Sequence, residues 1–388
     1  MKEFDVITIG AGLAGLQCAK SLSQQGAKVL LVDRKTDLTK GIHTTGIFVR
    51  KTLEDFNFPA DVLGHPIRDV TLYSPHLKTI SLQSKKDEFR VGNMGKLYQT
   101  ILDDCLENGI EFAKGTRYLG AETGSDEVVV RLEYKGIGFR VGAKVLIGAD
   151  GANSRVARDL GLDENREWIV GYEEVYRSNE CTGEPRLHCF LDAKLAPGYL
   201  AWIADDGEEI HIGVGGYPSK FEPNAALTEF RDKIAANFVD CKLLHLTETR
   251  GGRIPVGGVL RHIANEHGLL IGDAAGAVSP LTAGGLDPCL RLSAVAANVI
   301  TERLRKSDPK LMLNYSGRLF RTRFISRLWM RRMISVASNQ TAIEAGFALF
   351  RTVVGKRFAR HVFFGRGSFP DVEIKIRNKG RQALVEEN

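Results

Sequence analysis

The hexapeptide Gly10-Ala11-Gly12-Leu13-Ala14-Gly15 constrains this chain more than any other feature, because of what flanks it. An apolar run from Phe4 to Ile9 precedes it, an apolar-periodic segment from Leu13 to Gln25 follows, and Lys28 to Asp33 (KVLLVD) reads as a second buried strand. Continuous apolar strands indicate a parallel sheet covered on both faces, so the pattern predicts a βαβ unit. In such a unit the first glycine makes the turn and the second lets a pyrophosphate touch bare backbone. The helix N-terminus offers N–H groups and a partial positive charge to the phosphates. Asp33 lies 18 residues after Gly15. Its carboxylate can accept ribose hydroxyls and would repel a 2′-phosphate, which favours NAD or FAD over NADP.

Lys144 to Asp150 (KVLIGAD) and Gly268 to Asp273 (GLLIGD) look like strands of the same sheet, yet each is separated from the one before by more than 100 residues. Other material must be inserted between them. Val70–Tyr73 and Thr79–Leu82 flank Ser74-Pro75-His76 as a hairpin, and Tyr199–Ile203 and Glu209–Gly213 alternate polar with apolar, which predicts an antiparallel sheet. A helical pattern from Ala226 to Phe238 would cover one of its faces. At 388 residues, 43% hydrophobic and 26% charged, the chain has ample material for such a two-part core.

Gly272-Asp273-Ala274-Ala275-Gly276 continues through Ser279-Pro280-Leu281-Thr282-Ala283-Gly284-Gly285 into a helix starting near Leu286, and Gly148-Ala149-Asp150-Gly151 ends the earlier strand. With the N-terminal glycines, these runs resemble the GD and DG motifs of the p-hydroxybenzoate hydroxylase-like flavoproteins. Ile254-Pro255-Val256-Gly257-Gly258 and the S-P-L-T-A-G-G-L-D-P run resemble the geranylgeranyl reductase branch, and the resemblance covers roughly residues 1 to 305. It implies FAD, an α/β fold with a Rossmann-like FAD-binding domain, an inserted antiparallel substrate domain and a C-terminal helical segment. The FAD-binding domain is expected at 1–65, 86–165 and 260–310, the substrate domain at 66–85 and 166–259, and a basic helical region at 311–388. FAD contacts are expected at Gly10, Gly12, Leu13, Ala14, Gly15, Asp33, Arg34, Thr45, Gly46, Arg50, Tyr118, Asp150, Asp273, Pro280, Gly284, Gly285 and Leu286.

Three departures from the branch pattern matter. In place of its Y-x-W-x-F-P strand stands Gly198-Tyr199-Leu200-Ala201-Trp202-Ile203-Ala204. Read as a strand, this puts Tyr199, Ala201 and Ile203 on one face and Trp202 on the other. Near Val91 to Leu97, where many relatives carry an arginine touching the cofactor, Lys96 is the only basic residue. The Lys40–Gly46 loop lacks the cysteine of a K-x-C-G-G loop, and within it His43 is a candidate proton donor. His43 and Tyr199 are the candidate catalytic residues, and Arg50 suits a phosphate or carboxylate contact better than acid–base work.

Gly213-Val214-Gly215-Gly216 is not a second G-x-G-x-x-G, so NAD(P)H is expected only as a transiently docked reductant. Serine-hydrolase and zinc motifs are absent, and nothing resembles a base-reading module for nucleic acid. The six cysteines are scattered without C-x-x-C spacing, and no run of about 18 residues reads as a membrane span, so a cytoplasmic protein is expected.

From Gly317 to Gly367 there are 11 Lys or Arg and one acid, a net +10 in a chain of net +6, which leaves the remainder at −4. Interleaved with Phe320, Leu328, Trp329 and Met333, these cations read as a surface for anionic lipid, with peripheral membrane attachment, or for an anionic, greasy substrate. Packing of the arginine stems on their own domain is the other reading. Two activities share these features: hydride transfer from reduced flavin to a C=C bond of a hydrophobic, isoprenoid-like substrate, and monooxygenation with NAD(P)H and O2. A flavoprotein that binds without turnover is a third.

Overall fold

The computed structural model describes residues 2–125, 127–177, 184–235, 238, 245–336 and 339–365, with two further strands at Val372–Lys375 and Leu384–Glu387. Its first sheet has the strand order 264–265, 268–270, 137–148, 2–9, 29–33, 111–114. Strand Lys2–Ile9 pairs in parallel with Val29–Val32 on one side and with Val141–Gly148 on the other, and Leu146–Gly148 pairs in parallel with Gly268–Leu270. The four apolar runs read from the sequence therefore lie side by side. The hairpin of Thr116–Thr123 and Val128–Tyr134, whose second strand pairs antiparallel with Ile137–Ala143, was not legible in the sequence. Helices Leu13–Gln24, Met94–Glu107 and Leu286–Lys306 cover this sheet and bury Leu16, Leu97 and Leu290 against it.

The second sheet has seven strands in the order 245–255, 168–177, 209–216, 201–205, 186–190, 69–73, 79–83. All neighbours are antiparallel except 186–190 and 69–73. Its two faces carry different residues because alternate side chains point to opposite sides. Phe190, Ala201, Ile203, Ile212 and Val214 pack under helix Pro223–Lys233, which starts a few residues before the expected Ala226 because Glu222 caps it and Pro223 sits in its first turn. The opposite face carries Leu72, Leu187, Cys189 and Trp202, and above it lie the C-terminal helices Ile325–Val336, Gln340–Phe350 and Val353–Phe364. Cys18, Cys105, Cys189 and Cys289 are buried free thiols, while Cys181, Cys241, Arg366 and Gly367 lie outside the described residues.

Candidate functional site

A cavity of about 1010 Å³ lies between the two sheets and the C-terminal helices. Two helix N-termini open onto it, at Gly12–Ala14 and at Gly284–Asp287, and neither has a side-chain cap, so both leave backbone N–H groups free to meet a ligand. At the first, a Cβ on Gly15 would stand 1.9 Å from the Gly10 oxygen, so glycine there lets the helix approach the strand. A Cβ on Gly12 would meet nothing within 4 Å. That open space above the helix N-terminus is where a pyrophosphate fits.

The carboxylate of Asp273 lines the cavity and accepts no hydrogen bond from the described residues. Burial pushes its carboxyl up to about 6. Asp150 differs, because it accepts from Ser154 Oγ at 2.6 Å and from the backbone N–H of Arg155 at 2.7 Å, capping the turn that follows it. Asp33 accepts from the N–H groups of Ala11 at 2.7 Å and Lys35 at 2.8 Å, which fixes the glycine turn against the second strand. A bare helix N-terminus, an open glycine and an unpartnered carboxylate together fit FAD.

Of the expected cofactor residues, Gly12, Leu13, Ala14, Thr45, Gly46, Arg50, Asp273, Gly284, Gly285 and Leu286 line this cavity. Gly10, Gly15, Asp33 and Asp150 support its walls. Arg34 is exposed. The Tyr118 hydroxyl donates to Asp159 at 2.8 Å, away from the cavity, and the Pro280 carbonyl is taken by Arg331. Arg50 is held by Glu88 at 3.0 Å and Glu54 at 2.9 Å.

His43 lines the cavity, and its Nδ1 lies 2.9 Å from the Gly251 carbonyl oxygen. A carbonyl only accepts, so Nδ1 carries the proton and Nε2 is left for exchange. Tyr199 lies in a bend ahead of the strand, which starts at Ala201, because Gly198 takes a left-handed φ of +79°. The expected alternation therefore fails at Tyr199: it joins Trp202 on the cavity side, while Ala201 and Ile203 face the covering helix. Its hydroxyl donates to the Thr282 carbonyl at 2.7 Å and so ties the Ser279–Gly285 loop to the sheet. Gly213 and Gly215 make room for these rings, since a Cβ would meet the Trp202 ring at 2.2 Å at the first and the Tyr199 ring at 2.7 Å at the second.

Beneath the cavity lies a charged cluster that the sequence reading missed. Glu173, 3% exposed, accepts from the Thr45 hydroxyl, from Trp202 Nε1 at 2.8 Å and from His211 Nδ1 at 3.3 Å, with Arg250 at 3.7 Å. His211 Nε2 stands 3.9 Å from both Asp206 and Glu209. Burial alone would raise the Glu173 carboxyl, but His211, Thr45 and Arg250 outweigh it and hold it below the usual range. Burial likewise opposes the His211 imidazolium, and Glu173 and Asp206 outweigh it to raise that group. One signal was available: in Trp168–Arg177 the adjacent Glu173 and Glu174 must point to opposite faces, so one had to enter the interior.

The parallel sheet with its glycine turn, the unpartnered Asp273 and the helix N-terminus at Gly285 define a FAD-dependent oxidoreductase. The chain belongs to the FAD binding domain family, which matches residues 3–328. It is 26% identical over 322 residues to a digeranylgeranylglycerophospholipid reductase of Methanocella arvoryzae, covering 79% of each chain. A geranylgeranyl bacteriochlorophyll reductase-like protein of Thermoplasma acidophilum superposes with a TM-score of 0.81 at 21% identity, over 94% of this chain and 98% of that one. The p-nitrophenol 4-monooxygenase of Pseudomonas putida shares the fold at a TM-score of 0.67 and 15% identity, over 95% of each chain.

Proposed function

We propose that this protein reduces carbon–carbon double bonds in the isoprenoid chain of a lipid. The observation that carries the reading is the continuity of the cavity: from the FAD cradle it extends into an arm walled by Leu72, Leu187, Leu191, Phe347, Phe350 and Phe363. Such a wall suits a long hydrocarbon better than a small polar aromatic. The reductase names of the curated relatives support it. FAD, when bound, supplies hydride chemistry, and NAD(P)H docks transiently to replenish it. The chain's own part is to hold the alkene in the apolar arm, exclude bulk water and deliver to the second carbon a proton that His43 Nε2 has first taken up from solvent, the Nδ1 proton staying on the Gly251 carbonyl. Tyr199, its proton held by Thr282, positions the Ser279–Gly285 loop.

The test is anaerobic incubation of the NAD(P)H-reduced protein with a geranylgeranyl lipid, read by mass spectrometry. The expected product gains two hydrogens per double bond, with no requirement for oxygen. Oxygen uptake matched to an oxygenated product would replace this reading with the monooxygenase one.

The lipid is proposed to enter from an anionic bilayer. Trp329, Met333, Leu349, Val353 and Val354 are between 62% and 85% exposed on the C-terminal helices, and Arg351, Lys356 and Arg357 are exposed among them. Met333, Phe350 and Phe358 belong both to this outer face and to the cavity wall, which supports an entry at that point. Each cation near an anionic surface contributes about 1 kcal/mol, an effect that salt screens. Sedimentation with anionic vesicles at low salt and release at high salt are expected, with weaker binding by a Trp329→Glu, Val353→Glu double variant. A concentration-dependent dimer without vesicle binding would put a second copy of the chain on this face. Arg327 and Arg331, expected from the sequence to join the surface, are buried and do not reach it.

A further inference from the structure

A second cavity of about 550 Å³ lies at one end of the seven-stranded sheet, where Trp168 pairs with Pro255 and Val170 with Gly216. Helices Gly317–Arg321 and Ile325–Val336 close it from the other side. Among the described residues five cations line it, Arg166, Lys220, Arg321, Arg331 and Arg332, against the single acid Glu167. Arg331 is 5% exposed and has no carboxylate partner among those residues. Its Nη1 donates to the Pro280 carbonyl at 3.1 Å, while its Nε and Nη2 meet no acceptor. A cleft lined by one sign of charge draws the opposite ion, and a buried guanidinium with an unmet edge strengthens that field. Two aromatic rings stand among the cations. Arg331 lies 5.1 Å and Lys220 5.8 Å from the Tyr217 ring centroid, and Arg253 lies 5.0 Å from that of Trp168. Three features narrow the anion. Arg331 also lines the larger cavity, so a ligand held here borders the space that suits FAD. The volume falls within the roughly 300–1,000 Å³ of small-molecule sites, more than a lone phosphate fills. The rings offer a nucleobase a stacking surface, and the sequence holds no second G-x-G-x-x-G in which a dinucleotide could bind instead.

We infer that this second cavity is the docking site for the diphosphate of the nicotinamide dinucleotide, with Lys220 and Arg332 at its rim and Arg331 at its inner wall. This rests on the reading above that NAD(P)H replenishes the flavin. One hydride, with its two electrons, passes from the dihydronicotinamide to oxidised FAD, which becomes its reduced anion, and the oxidised dinucleotide leaves. The test uses the FAD-bound protein, so that the Gly10–Gly15 adenine-nucleotide site is filled. ADP-ribose, adenosine and inorganic pyrophosphate are titrated by calorimetry, and reduction of the bound FAD by NADPH and by NADH is followed anaerobically. ADP-ribose is expected to bind with an affinity that falls as salt rises, and adenosine and pyrophosphate each at least about tenfold more weakly. Lys220 and Arg332 are exposed, so the Lys220→Gln, Arg332→Gln double variant should fold. It is expected to weaken ADP-ribose binding roughly 10- to 150-fold, the range of charged hydrogen bonds, and to raise the half-saturating dinucleotide concentration by the same factor. The limiting rate of FAD reduction should stay, and dithionite should reduce the variant's FAD completely. Native affinities in the double variant, with FAD still reduced by NADPH or NADH, would overturn the site and leave the dinucleotide reading intact. Pyrophosphate binding as tightly as ADP-ribose would reduce the cavity to an anion site and overturn the dinucleotide assignment. No binding of ADP-ribose and no reduction by either dinucleotide would overturn the site together with NAD(P)H as reductant.

Discussion

Glu173→Ala is expected to destabilise the protein by about 3–5 kcal/mol, because it strips the shared partner from buried His211 and Trp202 and leaves Arg250 with Glu248 alone of its two carboxylates. Urea denaturation of the FAD-free protein reads this directly, and a loss under about 1 kcal/mol would show that the cluster is not coupled. The isosteric Glu173→Gln adds a pH signature. The lowered Glu173 carboxyl contributes stability that is present above its unfolded value, about 4.3, and is lost as pH falls through the folded value. The raised His211 contributes stability that is present below about 6.5 and is lost as pH rises through its folded value. The gap between the native protein and Glu173→Gln should therefore be widest between about pH 4.3 and 6.5, narrowing on both sides. Asp206, Glu209 and Arg250 also face His211, and they modulate the upper limb.

Asp273→Ala is expected to weaken FAD binding by roughly 10- to 150-fold, the loss of a charged hydrogen bond to the ribityl chain. Asp150→Ala should weaken it less, since that carboxylate is already spent on Ser154 and Arg155. Because burial holds the Asp273 carboxyl near 6, it carries a proton in the FAD-free protein below that pH, and binding as the carboxylate must release it. Affinity should fall as pH drops through about 6, by up to about tenfold per pH unit. Asp273→Asn should flatten this dependence. Titration of the FAD-free protein from pH 5 to 8 checks both statements, and a native affinity that does not vary with pH would contradict the role assigned to Asp273.

The nucleotide end of the molecule was legible because its chemistry is local: Gly12, Gly15 and Asp33 act through backbone geometry within one βαβ unit. The C-terminal wall of the cavity was not. Which face of helix Ile325–Val336 is buried depends on the Ser279–Pro280 loop, distant in sequence, and that loop draws Arg327 and Arg331 inward while Trp329 and Met333 face out. Hydrophobicity alone predicts the reverse. Tyr199 was misread for a smaller reason, since the strand starts at Ala201, two residues later than assumed, and the bend ahead of it sets which side Tyr199 takes.

The order of the first sheet also bears on how the protein is made. Strand Lys2–Ile9 waits for Val141–Gly148, which in turn waits for Gly268–Leu270, so the sheet cannot close until most of the chain has left the ribosome. At the usual pace of translation that interval is on the order of tens of seconds. From the synthesis of Gly148 until Gly268–Leu270 arrives, the apolar edge of the Val141–Gly148 strand stays open, a template for wrong pairing that slow, non-local topologies share. Chaperone dependence during synthesis, and better recovery at lowered temperature, follow from topology alone.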